Sequence, residues 1–369
     1  MGAAEQIADP TGQGFIAVAA TPGVLSPATR IAGLPLLVRL ARQLEQAGAG
    51  VALVADDGDA WRALLERHGV GRLSPLTVVA PAEVPQGVPV FEASAVYDAR
   101  MVEEALRTRE APSPAVRVED AASRRRADAW LWDSIRKSVS HDGPVAYYLA
   151  RPLSAPVSRL LLWLGISPNA ITVAGLLVGL ASGVSAGLGG YRAVLAATLL
   201  FALGLVLDCV DGEMARISLS TSRVGQWLDT IVDDLSVVSL TVGLGVGLWR
   251  ETGLVTHLWA GVGTGALVVV GQAVIYRYLI RTGGAIDTAK YPWFFVGRQG
   301  LAQEGKRSLV GWLAFLPRRD TLTLAFVILA LVGMRQAILL ALVAGGAGYF
   351  LLLCIDRLSK ALGWVEELP

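Results

Sequence analysis

The sequence has only two cysteines in 369 residues, Cys209 and Cys354. Both lie in or beside apolar runs, which excludes a disulfide framework and predicts reduced, buried thiols. An excess of charge of one sign is also lacking. The 32 Lys and Arg residues stand against 31 Asp and Glu, for a net charge of +1, so the overall balance makes no electrostatic case for a nucleic-acid partner. The N-terminus, Met1 to Gln13, is polar and rich in Gly and Ala. It lacks a basic stretch followed by an apolar core, so no secretory signal is expected there and the soluble part is expected to stay in the cytoplasm.

What the sequence does have is apolar residues, 53% of the chain with a mean hydropathy of +0.52, spread unevenly. Residues 1–140 read as an ordinary soluble segment, and residues 155–358 hold long apolar runs. From Gly14 to Arg109, extended stretches alternate with helical ones. Gly14–Ala20, Gly50–Asp56, Leu76–Ala80 and Val88–Glu92 read as strands. Pro35–Ala49, Asp59–His68 and Asp98–Arg107 read as helices, the last with Asp98 as N-cap. Alternation of this kind predicts a small cytosolic α/β domain with a parallel, Rossmann-like sheet over residues 1–112. Residues 113–142, rich in Pro, Ala and charge, read as a linker with a polar helix. Residues 143–362 read as an all-α membrane domain of six helices, opened by an amphipathic segment, Pro144–Leu164, suited to the membrane surface.

The six candidate spans are Ile171–Gly189, Ala193–Ala215, Val224–Trp249, Val255–Ile280, the short Thr321–Gly333 and Ala337–Ile355; a bilayer core requires about 20 residues each. Basic residues are concentrated on one side. Arg159, Arg216, Arg223, Arg277, Arg281, Lys290, Arg298, Lys306, Arg307, Arg318, Arg319, Arg357 and Lys360 fall in alternate connections, against Arg192, Arg250 and Arg335 opposite. This asymmetry predicts a multi-pass protein of the cell (inner) membrane with both termini on the cytoplasmic side.

The stretch Asp208–Asp234, DCVDGEMARISLSTSRVGQWLDTIVDD, carries the chemistry. Asp208 and Asp211 share a helical face, and Gly225, Asp229 and Asp233 recur every four residues on another. A connector with Arg216 and Arg223 joins the two. Carboxylates in apolar helices are costly unless they face a hydrated cavity and bind something. Several oxygens in one place suit Mg²⁺ or Mn²⁺, and four aspartates could hold two ions. Such a pair serves phosphoryl-type transfer. Gly212 and Gly225 allow close approach, and Arg216 suits a phosphate. Proton- or ion-coupled transport is the competing use of intramembrane aspartates. Asp234 lies outside the pattern and reads as a supporting or solvated acid.

The spacing D-x2-D-G-x2-A-R-x8-G-x3-D-x3-D resembles the signature of the CDP-alcohol phosphotransferase family at all eight positions. Asp142-Gly143, Arg151, Ser154, Ser167-Pro168-Asn169 and Ile171-Thr172 look like that family's segment before its first span. The resemblance covers about residues 140–358. It implies that Asp208, Asp211, Asp229 and Asp233 hold metal, that Asp211, Gly212, Ala215, Arg216 and Gly225 border the CDP group, and that Asp233 acts as base. It also implies a CDP-linked donor, an alcohol acceptor, release of CMP, and a homodimer in the bilayer. Arg281, Arg318 and Arg319 are candidates for an acceptor phosphate, in a basic connection with Trp293, Phe294, Phe295, Trp312 and Phe315 whose plainer use is interfacial anchoring.

The N-terminal region resembles sugar-phosphate nucleotidyltransferases, as in the bifunctional inositol-phosphate cytidylyltransferase/di-inositol-phosphate-phosphate synthase family. Here Thr21–Leu34 lacks the Gly-rich loop and its lysine, and Glu92-Ala93-Ser94 lacks the second acid of the metal-binding pair. A non-catalytic domain for docking or dimer contacts is expected. His68 and Asp56-Asp57 read as surface residues. A scaffold whose soluble domain recruits a partner is the third reading.

Overall fold

The computed structural model describes residues 13–17, 26–55, 58–71, 76–136, 142–282, 291–293 and 318–362. Asp56-Asp57, Lys290, Phe294, Phe295, Arg298, Lys306, Arg307, Trp312 and Phe315 lie outside them. The described residues fall into two units, Met1–Arg136 with Ala215–Ser220, and Lys137–Met214 with Thr221–Pro369.

In the first unit, strands β1 (Gln13–Ala17), β4 (Gly50–Val54), β5 (Leu76–Val79) and β6 (Val90–Glu92) form one parallel sheet in the order β5-β4-β1-β6. Two short antiparallel pairs flank it, β2 (Arg30–Ile31) with β3 (Leu34–Pro35) and β7 (Ala95–Val96) with β8 (Val116–Arg117). Every residue of β4 is buried, which is why GVALV is a continuous apolar run and not an alternating one. Helix α1 (Leu36–Gln46) lays Leu37, Leu40 and Leu44 against the sheet, each worth about 1.5–3 kcal/mol when fully buried. It stops at Gly48, where φ is +80°. There the Gly48 N–H donates to the Glu45 carbonyl and the Ala49 N–H to the Leu44 carbonyl, both at 3.0 Å, the pattern that closes a helix on a left-handed residue. Helices α2 (Asp59–Arg67), α3 (Ala99–Thr108) and α4 (Ala121–Ser134) complete the unit. The Asp98 side chain caps α3, accepting from the Arg100 N–H at 2.8 Å. His68 is half-buried, its Nδ1 2.9 Å from the Leu64 carbonyl oxygen.

The second unit opens with a π-helical turn, Ala146–Ala150, that runs into α5 (Arg151–Trp163). Then come α6 (Pro168–Leu188), α7 (Tyr191–Ile217, whose last residues count with the first unit), α8 (Arg223–Thr252), α9 (Val255–Arg281), α10 (Arg319–Leu331) and α11 (Arg335–Ala361). Among the described residues, α6, α7, α8, α9 and α11 are long and apolar enough to cross a membrane. The sequence had suggested a sixth span at Thr321–Gly333. Helix α10 has 13 residues, about 20 Å at 1.5 Å per residue and short of a bilayer core.

The packing of these helices depends on small residues, because lipid offers no hydrophobic drive between them. Helices α6 and α8 pack along their length. A Cβ at Gly179 would strike Ser236, one at Gly243 the Gly183 carbonyl, and one at Gly247 the Ala186 carbonyl. Helices α8 and α9 meet at Gly245 and Gly261, where a Cβ on either would lie 2.7 Å from the other's Cα. Cys209 is a buried free thiol as expected, but Cys354 is exposed. It lies on the outward surface of α11, so an apolar neighbourhood in sequence did not mean burial.

Candidate active site

Four helices build the site. Ser167 caps α6, accepting from the Ala170 N–H at 3.3 Å, with Pro168 at the first helical position, where its missing N–H costs nothing. Ser222 caps α8 in the same way, accepting from the Gly225 N–H at 3.0 Å. Gly225 is there because a Cβ would press to 3.2 Å from both Asn169 Oδ1 and Ser222 Oγ. With those starts fixed, α7 presents Asp208 and Asp211 and α8 presents Asp229 and Asp233. All four line one cavity with Thr172, Gly175, Gly204, Ser236 and Arg319.

The four aspartates are not equivalent. One oxygen each from Asp208, Asp229 and Asp233 can be chosen so that all lie within 4.8 Å of one another. Three hard oxygens at that spacing form a donor set suited to a divalent cation. Asp211 is buried and turned to α6, where its Oδ2 accepts from the Thr172 hydroxyl at 2.6 Å. Asp233 is ion-paired with Arg319. The Arg319 guanidinium also lies 5.7 Å from the Phe201 ring centre, and its Nε has no hydrogen-bond partner among the described residues. Of the three arginines suggested for an acceptor phosphate, Arg319 alone lines the cavity. Arg318 lies 3.7 Å from the Asp320 carboxylate, and Arg281 is exposed at the end of α9. Gly212 stays with the aspartates in the second unit, whereas Ala215 and Arg216 belong to the first.

Three polar clusters beside the site join residues whose pairing the sequence pattern did not show. Glu213, buried next to Gly212, accepts from Arg151 Nη1 at 2.8 Å, Ser154 Oγ at 2.8 Å and Ser158 Oγ at 2.6 Å. Arg151 Nε also donates to Asp142 at 2.8 Å, so α5 is tied to the aspartate helix through one carboxylate. Asp320, also buried, accepts from the Val145 and Ala146 N–H groups at 3.1 Å each. It passes so close to Gly143, whose φ is +92°, that any side chain there would collide with it. Asp234 accepts from Gln272 Nε2 at 2.8 Å and from the Tyr276 hydroxyl, and Tyr349 donates to Gln272 Oε1 at 3.0 Å. The acid outside the signature therefore anchors α8 to α9 and α11. Asp142, Gly143, Arg151, Ser154 and Asp234 had been singled out, the last as a supporting or solvated acid, but without their partners.

A bundle with helices long and apolar enough to cross a membrane, and with a carboxylate-lined cavity between four of its helices, defines the class as multi-pass membrane proteins with an acidic intramembrane site. Comparison with known proteins is more specific. Residues 165–347, just under half of the chain, match the CDP-alcohol phosphatidyltransferase family. Similar proteins include a bifunctional IPC transferase and DIPP synthase of Thermococcus kodakarensis, 37% identical over 92 residues (25% of this chain, 20% of that protein). An archaetidylinositol phosphate synthase of Pyrococcus horikoshii is 33% identical over 91 residues (25% of this chain, 47% of that protein). A bifunctional IPC transferase and DIPP synthase of Aquifex aeolicus is 33% identical over 108 residues, 29% and 24% of the two chains. The matched segments span less than half the length of each of these relatives.

Proposed function

We propose that this chain is a membrane phosphotransferase that moves a substituted phosphate from a CDP-linked donor to an alcohol. The observation that carries the reading is the Asp208–Asp229–Asp233 oxygen cluster within 4.8 Å, set in a region that matches the CDP-alcohol phosphatidyltransferase family. The cluster fits Mg²⁺ or Mn²⁺; Asp211, which accepts from Thr172 in this structure, is the fourth carboxylate that the family resemblance assigns to metal. When bound, the metal neutralises the diphosphate and stabilises attacking and leaving oxygens. The chain's own residues do the rest. Asp233 takes the proton of the acceptor hydroxyl. The new bond forms from that oxygen to the β-phosphorus, the bond from the β-phosphorus to the bridging oxygen breaks, and CMP leaves with that oxygen. Arg319, beside Asp233, orients this carboxylate and supplies the positive charge for a phosphorylated acceptor. Arg216, Ala215, Gly212 and Gly225 border the CDP group.

The name archaetidylinositol phosphate synthase supports an inositol phosphate-type acceptor or a related polyol phosphate; the donor in this reading is CDP-diacylglycerol or a CDP-polyol. The basic connections favour an active site on the cytoplasmic face of the cell membrane. We assign the N-terminal domain no chemistry of its own. Glu92, where an acidic metal-binding pair would begin, is engaged by Arg117 through two contacts of 2.9 and 2.8 Å, which supports that reading. Asp233→Asn tests the mechanism. Turnover should fall by at least roughly 10²–10⁴-fold, the typical contribution of a general base, and Mn²⁺ binding should weaken because Asp233 is one of the three cluster carboxylates. Full turnover would overturn the assignment of Asp233.

A further inference from the structure

The connector between the two aspartate helices ends α7 in an unusual way. The Leu219 N–H donates to the Arg216 carbonyl at 3.2 Å and the Ser220 N–H to the Ala215 carbonyl at 3.0 Å. This is the same closure that ends α1 on Gly48. Here, however, the left-handed position is taken by Leu219, with φ +50°, where a Cβ is disfavoured. The closure satisfies the Ala215 and Arg216 carbonyls and leaves the next three, those of Ile217, Ser218 and Leu219.

All three are taken by one face of α1. Arg39 Nη1 donates to the Ile217 carbonyl at 2.8 Å, Arg42 Nη1 to the Ser218 carbonyl at 2.8 Å, and Gln46 Nε2 to the Leu219 carbonyl at 3.2 Å. Positions 39, 42 and 46 are one and two turns apart, so they form a single stripe. Two of the three carry positive charge to the negative end of a helix. The stripe is itself fixed in place. Arg39 is buried, and its Nη2 donates to the Ile31 carbonyl at 3.1 Å. Arg42 Nη2 donates to the His68 carbonyl at 2.8 Å. Burial holds the Arg39 guanidinium down to about 10, still protonated at neutral pH with its donors intact.

We propose that Arg39, Arg42 and Gln46 are positioning residues for the donor site. They hold the strained end of α7 and thereby fix Arg216, one residue before the first carbonyl they cap. This rests on the reading of Arg216 as a contact to the CDP group. It gives the domain that lacks its own chemistry a task, as the cap of the connector between the metal-binding helices.

The test is a pair of measurements on the full-length protein with Arg42→Ala/Gln46→Ala. Arg39→Ala is avoided because Arg39 is buried, and Arg39→Lys serves in its place. Hydrogen exchange of the peptide spanning residues 215–220 should accelerate in both variants. The donor KM for CMP release should rise roughly tenfold, the effect of losing one or two hydrogen bonds, with the acceptor KM within about twofold. Adding Leu219→Gly, which removes the left-handed strain, should restore slow exchange and donor KM. Unchanged exchange would overturn the cap. Faster exchange with an unchanged donor KM would overturn the link to the donor. If the unsubstituted protein released no CMP, the functional reading would fail, and exchange would still decide whether α1 holds the connector.

Discussion

Glu213 offers the sharpest stability prediction. Its buried carboxylate receives one charged and two neutral donors, at 2.8, 2.8 and 2.6 Å, and Arg151 keeps Asp142 as its other anionic partner. Replacing Glu213 with Leu leaves the buried Ser158 hydroxyl and part of a buried guanidinium without that acceptor, while Ser154 Oγ keeps the Arg151 carbonyl at 3.2 Å. Breaking a buried ion pair from one side costs about 3–5 kcal/mol. Residual pairing of Arg151 with Asp142 favours the lower end, about 3 kcal/mol. At roughly 2–4 °C per kcal/mol for a unit of this size, Tm should fall by about 6–12 °C. The assay is thermal unfolding in detergent, followed by tryptophan fluorescence. Glu213→Gln keeps oxygen and shape and should lose less. Ser154→Ala, which removes one neutral donor, should cost about 1 kcal/mol. In a double-mutant cycle with Arg151→Met, Glu213→Leu should lose less than in the parent, because the two share one interaction. A Tm change below about 2 °C for Glu213→Leu would refute the claim that this carboxylate ties α5 to the aspartate helix.

Other outcomes follow from the same geometry. Asp229→Asn should weaken Mn²⁺ binding and remove most CMP release, and chelation of the unsubstituted protein should abolish release until Mg²⁺ or Mn²⁺ is restored. Gly243→Leu should separate α6 from α8, seen as loss of the monodisperse folded species in detergent, whereas Gly263→Leu, with open space at its Cβ, should be tolerated. The Asp120 carboxyl is held below the ordinary range by hydrogen bonds from the Ser123 hydroxyl and backbone N–H. Its contribution to stability is therefore present above about pH 4, the unfolded value, and is lost as pH falls through the lower folded pKa. Asp120→Asn should flatten that part of the acid-unfolding curve.

The aspartate pattern, the strands of the first unit and the long spans were legible because each depends on local period: three or four residues for a helix face, an apolar run for a buried strand. What escaped reading depends on partners far along the chain. Glu213 looks like any helix glutamate until Arg151, Ser154 and Ser158 are brought to it from 55–62 residues away. Arg39 and Arg42 sit in an amphipathic helix, and nothing local says that their acceptors lie 178 and 176 residues on. Asp320 follows two arginines in sequence, and nothing local says that it accepts from the Val145 and Ala146 N–H groups 175 and 174 residues away. Thr321–Gly333 read as a span on composition, and among the described residues its helix has 13 residues, shorter than the other five candidate spans.

The central claim is that the oxygen cluster at Asp208, Asp229 and Asp233 performs phosphotransfer. It is tested most directly by following CMP release from the purified protein with Mg²⁺ or Mn²⁺, pairing CDP-diacylglycerol and CDP-inositol with a panel of polyol phosphates. CMP should appear with at least one donor and acceptor pair, in amounts equal to the phosphodiester formed, and should disappear in Asp229→Asn. No CMP with any pair, together with charge movement across liposomes that depends on the same aspartates, would contradict the account and favour transport.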